Sequence, residues 1–140
     1  MQKLDPKTNS APHPPSTVVQ LRFHEHIEFD PNPVRRLYAN LGHEDAEEQI
    51  CDALENIARL LDRLQRAIGK DQFELTSVLA MDLSSLAEGV GLRSVAKVSH
   101  ALHTAAICGE ASSLASIFAR LKRVTEPSMV EVWSGHGGAT

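Results

Sequence analysis

Apolar positions along the chain repeat mainly at helical spacing. Between residues 44 and 68, Ile50, Leu54, Ile57, Leu61, Leu64 and Ile68 recur at alternating steps of four and three, an unbroken seam along one face of an amphipathic helix. Its charges follow the helix dipole: Glu44, Asp45, Glu47 and Glu48 lie at the start, and Arg63, Arg66 and Lys70 near the end. That sorting accounts for the acidic run without a ligand. A second long helix is predicted over 71–88, with Leu75, Val78, Leu79, Leu83, Leu86 and Val90 on its apolar face and Gly89 and Gly91 closing it. The spacing predicts a third over 94–108, burying Val95, Val98, Leu102, Ala105 and Ala106. A fourth follows over 112–125 through Leu114, Ile117, Phe118, Leu121 and Val124. A short helix over 34–40 precedes them and stops at Gly42, where glycine can take the left-handed cap conformation.

The connectors are a few residues long, which favours antiparallel neighbours. The expected fold is therefore all-α: an up-and-down four-helix bundle with a short leading helix, occupying residues 31–126. Residues 1–16 are rich in Pro, Ser, Asn and Lys and read as a disordered tail. Residues 17–30 read as an extended N-terminal arm, because Val19, Leu21, Phe23, Ile27 and Phe29 share one side of a period-two pattern broken at Glu25. A lone strand is not stable by itself, so the arm must pack on helices or pair with another chain. Residues 127–140 open on Pro127 and carry Met129, Val130, Val132 and Trp133. This C-terminal segment is expected to dock back on the bundle, with the last seven residues loose.

Composition narrows the function. Among 140 residues, 16 are leucine and 16 alanine, a bias toward helix, while only one Trp, one Tyr and four Phe are present, too few for a base-stacking platform. Fourteen Lys and Arg against eighteen Asp and Glu leave a net charge of −4, which opposes phosphate-backbone binding, so no nucleic acid partner is expected. Apolar runs fall far short of the roughly 20 residues needed to span a bilayer, and the N-terminus has no apolar leader segment. No membrane association and a cytoplasmic location are the expectations. Cys51 and Cys108 lack any CxxC spacing and are expected as buried or half-buried thiols.

Seven histidines raise the question of a metal or phosphoryl site. His24 and His26 would point the same way from a strand, but two ligands with only Glu25 or Glu28 beside them define no metal site. His13, His43 and His136 fall in a tail, a turn and a glycine-rich end. On the 94–108 helix, His100 lies opposite the apolar stripe and His103 on its flank, so either imidazole could accept a phosphoryl group. Lys97, three residues from His100, could steady phosphoryl oxygens. There is no GxSxG, no P-loop lysine motif and no GxGxxG; the GVG at 89–91 ends a helix, where a phosphate cradle would begin one. No catalytic residues and no cofactor are expected.

The stretch from Leu75 to Val124 resembles a histidine phosphotransfer (HPt) domain, the bundle that passes phosphoryl groups between receiver domains in two-component signalling. The family exposes a histidine on a helix, followed by leucine two residues on, lysine at three, small residues, and a glycine at ten. Here Leu83, Ser85, Ala87 and Gly91 match that pattern, and the run from Ala101 to Leu121, with Gly109-Glu110 and Ala119-Arg120-Leu121, is similar to the family's closing helix pair. Met81 stands where the phosphorylated histidine would be, and Ser84 replaces the lysine. Met81 lies about 140° from the apolar face, exposed where the family exposes its imidazole. A thioether cannot take a phosphoryl group from an aspartyl phosphate. What the resemblance implies is thus a scaffold and a docking surface: a non-catalytic pseudo-phosphotransfer bundle that binds a receiver domain, a sensor kinase or its own copy. Its expected protein-binding face is Ser77, Met81, Ser84, Ser85 and Glu88. Two alternatives stand beside it: an active phosphorelay transferase using His100 or His103, and a structural homodimer formed along the second helix with the arm crossing to the partner.

Overall fold

The computed structural model describes residues 26–139, with side chains as far as Trp133. The expected tail, the arm as far as Glu25 with His24, and the side chain of His136 lie outside the described residues. The chain is all-helical: α1 (Asn32–Leu41), α2 (His43–Gly69), α3 (Phe73–Gly89), α4 (Arg93–Cys108) and α5 (Ala111–Ala139). Each long helix packs on the next in sequence and α2 also meets α5, while the backbones of α2 and α4 stay apart, as do those of α3 and α5. The four long helices therefore form a closed ring of contacts around one apolar core. α1 lies against α2, α3 and α5 and buries Val34.

Sequence and structure agree most closely in α2. Ile50, Leu54, Ile57 and Leu64 are buried, Leu61 and Ile68 half-buried, and the face between them is charged. This seam is spent on the chain's own core. Gly42, between α1 and α2, has φ 86° and ψ 171°, a region open essentially to glycine alone and different from the left-handed cap expected there. Asp71 takes a positive φ of 55° in the α2–α3 turn, so α3 starts at Phe73 and not at Asp71.

Three expectations are corrected. In α3 the buried face is Thr76, Leu79, Ala80, Leu83 and Ala87; Leu75 and Val78, expected inside, are exposed. α3 makes its most extensive contact with α4, whose buried side again offers small residues, Ser94, Ala96, Ser99, Ala105 and Ala106. Close approach of two backbones selects small side chains for the contact and turns the larger ones outward. Second, Cys51 and Cys108 are exposed. Cys51 falls one helical step past buried Ile50, toward the polar face, and Cys108 is the last residue of α4. Third, α5 does not stop at Thr125 but runs through Pro127 to Ala139. Its seam continues past Leu121 and Val124 through Thr125, Ser128 and Val132, all buried. The Thr125 hydroxyl donates to the Leu121 carbonyl (2.6 Å) and that of Ser128 to the Val124 carbonyl (2.5 Å), so both polar groups are satisfied inside an apolar stripe. Burial of Val132 and packing of Met129 offset the roughly 3 kcal/mol that an interior proline costs. The segment expected to dock packs on the core through Met129 and Val132, while its Trp133 remains 37% exposed.

Residues 26–30, the described part of the segment expected as an arm, lie on the chain's own α3–α4 turn. Phe29 and Leu92 form an antiparallel bridge, the Asp30 amide donates to the Gly91 carbonyl (2.8 Å), and the Glu28 amide donates to the Ser94 hydroxyl (2.7 Å). Gly91 is required here twice over, because its φ is 82° and a Cβ would come within 1.9 Å of the Asp30 carbonyl oxygen. Ile27 and Phe29 pack against the core.

Candidate docking face

The correction in α3 changes the candidate site. Leu75 (39% exposed), Val78 (52%) and Met81 (41%) follow one another at steps of three and form an apolar ridge along the outward surface of the helix. Ser85 and Glu88 are exposed beside it, as are Glu74 and Asp82. On α4, Ile107 adds a further exposed apolar side chain at 66%. Sequence reasoning placed Leu75 and Val78 in the core and so credited the face with a single methionine; the small residues Thr76, Ala80 and Ala87, which with Leu79 and Leu83 line the buried face of the same helix, were the available signal.

Of the predicted face residues, Ser84 turns its side chain toward α4, while Ser77 meets α4 through its backbone carbonyl and its hydroxyl donates to the Glu74 carbonyl (2.7 Å). Ser84 is half-buried, and its hydroxyl donates to the Ala96 carbonyl (3.1 Å). Ser77 is half-buried, and its carbonyl oxygen lies 2.9 Å from Nδ1 of His103. A carbonyl can only accept, so Nδ1 carries the proton and donates it, which leaves Nε2 of the neutral ring with its lone pair free. These two contacts fix the antiparallel register of α3 and α4: 77 pairs with 103 and 84 with 96, which sets Met81 opposite Ser99, next to His100. His100 is exposed, with its ring centroid 6.0 Å from that of His103. Met81 of the expected face and the two histidines considered as acceptors, separate in the sequence, thus come close along the α3–α4 cleft.

Lys97 is not at the disposal of His100. Its Nζ lies 2.6 Å from the Glu28 Oε1 of the arm, and the hydrogen bond and charge of Lys97 hold the Glu28 carboxyl below its ordinary range. On the other side of the ridge, a groove of about 560 Å³ separates α3 from α2, lined by Asn56, Arg59, Leu60, Arg63, Asp82, Ser85 and Leu86.

No family model, curated protein or solved structure matches this chain. No helix among the described residues is long and apolar enough to cross a membrane. Among the described residues there is also no cluster of three or more His, Cys, Asp or Glu side chains arranged to hold a metal.

Proposed function

We propose that this protein is a non-catalytic interaction module, a pseudo-histidine-phosphotransfer bundle of up-and-down topology with a short leading helix, acting in the cytoplasm. It docks a receiver domain or sensor kinase on the outward surface of α3. The observation that carries this reading is the ridge of Leu75, Val78 and Met81, three neighbouring apolar side chains left in solvent on the helix that resembles the phosphotransfer helix. Adaptable apolar anchors within a polar rim of Ser85, Asp82 and Glu88 suit a protein contact. A methionine at the acceptor position keeps the contact while removing the chemistry.

The test is calorimetric titration of the full chain with purified receiver domains of the source organism. Val78→Glu and Met81→Glu are each expected to weaken binding at least tenfold, about 1.4 kcal/mol. Arg63→Glu, across the α2–α3 groove, should bind as the parent does. Equal binding by the parent and both ridge variants would overturn the reading.

One observation favours a second reading. His103 donates its Nδ1 proton to the Ser77 carbonyl, so the neutral form of the ring would present its Nε2 lone pair, as a phosphoryl-accepting imidazole must. Incubation with a phosphorylated receiver would then transfer label to the protein, and His103→Asn would abolish it. Absence of label on the parent chain excludes this reading and leaves the docking one intact.

A further inference from the structure

We propose that His100, His103 and Met81 form a surface site for copper(I) across the outer edge of the α3–α4 cleft. Two imidazoles on one metal, with metal–nitrogen bonds of about 2.0–2.1 Å, hold their ring centroids roughly 5 to 6.4 Å apart, depending on the bond angle. The centroids of His100 and His103 are 6.0 Å apart, within that span. The two rings are tilted by 32°, so neither stacks on the other.

The second observation is independent of that distance. Metal-binding histidines characteristically donate their other ring N–H to a carbonyl or carboxylate, which fixes the tautomer and aims the free nitrogen. His103 does this through Nδ1 to the Ser77 carbonyl at 2.9 Å, an interhelical bond that also holds the ring against α3. The imidazole is thereby oriented before any ligand arrives. His100 is exposed, so its ring can turn to meet the ion at little cost.

The α3–α4 register selects the metal. It sets Met81 opposite Ser99, beside His100, and Met81 is 41% exposed. Two imidazoles with a thioether are a soft donor set, which favours copper(I) over the harder divalent ions, whereas the imidazole pair alone would also serve zinc. The copper(I) assignment does not rest on the docking reading, although both use Met81. Occupied, it would cover Met81 and place a cation at the edge of the apolar ridge.

The experiment is anaerobic competition of the full chain with a chromophoric copper(I) chelator, paired with zinc(II) titration followed by imidazole proton shifts. The parent is expected to withdraw one equivalent of copper(I). His100→Gln and His103→Gln should each lose at least tenfold in affinity; glutamine at 103 retains an amide N–H for the Ser77 carbonyl, and circular dichroism checks that each variant is folded. Met81→Leu should weaken copper(I) at least tenfold and leave zinc(II) unchanged, while His26→Ala on the arm should change neither. A parent that withdraws no copper overturns the proposal, as does a folded His103→Gln that binds like the parent. Equal copper(I) affinity in Met81→Leu overturns the assignment of the metal.

Discussion

α2 and α3 are neighbours, yet the buried face of one was legible and that of the other was not. In α2 the positions outside the seam, Leu60 apart, are charged, polar or small, so one orientation buries nearly all the large apolar side chains. In α3 the apolar residues Leu75, Val78, Leu79, Ala80, Met81, Leu83, Leu86 and Ala87 surround much of the helix. Hydropathy then leaves the buried face undecided, and the fit against α4 decides it. Thr76 is completely buried with its hydroxyl on the Gln72 carbonyl (2.8 Å), while Val78 is 52% exposed. The lesson is one of size: a helix that meets a close neighbour puts Ala and Thr into the contact, and its larger apolar side chains become surface.

The largest test of that contrast compares two α3 positions that the apolar pattern ranks alike. Leu83→Ala empties a fully buried site and should cost about 2–5 kcal/mol in urea denaturation. Val78→Ala removes an exposed side chain and should stay within roughly 0.5 kcal/mol. Comparable losses at both positions would mean that Val78 is part of the core after all.

α5 offers the next largest effect, because it shows a different way for a pattern to mislead. Pro127 is a strong stop signal, and reading the helix only through Leu and Val ended it at Thr125. The steps from Leu121 to Thr125, Ser128 and Val132 are four, three and four, so the seam was present but written partly in hydroxyl residues. Those hydroxyls are acceptable inside because each donates to a carbonyl one turn back. If burial of Val132 and Met129 carries the helix through the proline, Pro127→Ala restores a backbone donor for the Arg123 carbonyl. It should stabilise the fold by up to about 3 kcal/mol. A destabilised variant would show that the proline is needed where it stands.

A somewhat smaller change probes the α3–α4 contact itself. Ala80→Leu adds three carbons at a fully buried position on the close face and should cost about 1–3 kcal/mol. Ala58→Leu, on the exposed side of α2, should be neutral within roughly 0.5 kcal/mol. The same contact explains what the candidate site withheld from sequence reasoning. Exposure of Met81 follows from its angle on one helix and was legible. The bond from His103 to Ser77, and the turning of Ser84 toward Ala96, depend on the register between two helices, which no single helix encodes.

The smallest expected effect concerns the arm, where an exposed ion pair supplements the main-chain bonds at the α3–α4 turn. Lys97 holds the Glu28 carboxyl below its ordinary value of 4.5. A carboxyl depressed in the folded state contributes stability that is fully present above its unfolded value and is lost as pH falls through the folded one. The difference in denaturation midpoint between the parent chain and Glu28→Gln should therefore be present at neutral pH, shrink once the pH drops below 4.5, and vanish under stronger acid. Both partners are solvent-exposed, so the difference should be small and diminish with added salt. A midpoint difference that is unchanged from neutral to strongly acidic pH would mean that the arm is held by Phe29, Ile27 and its backbone bonds alone, and that Lys97 is free to serve the α4 surface instead.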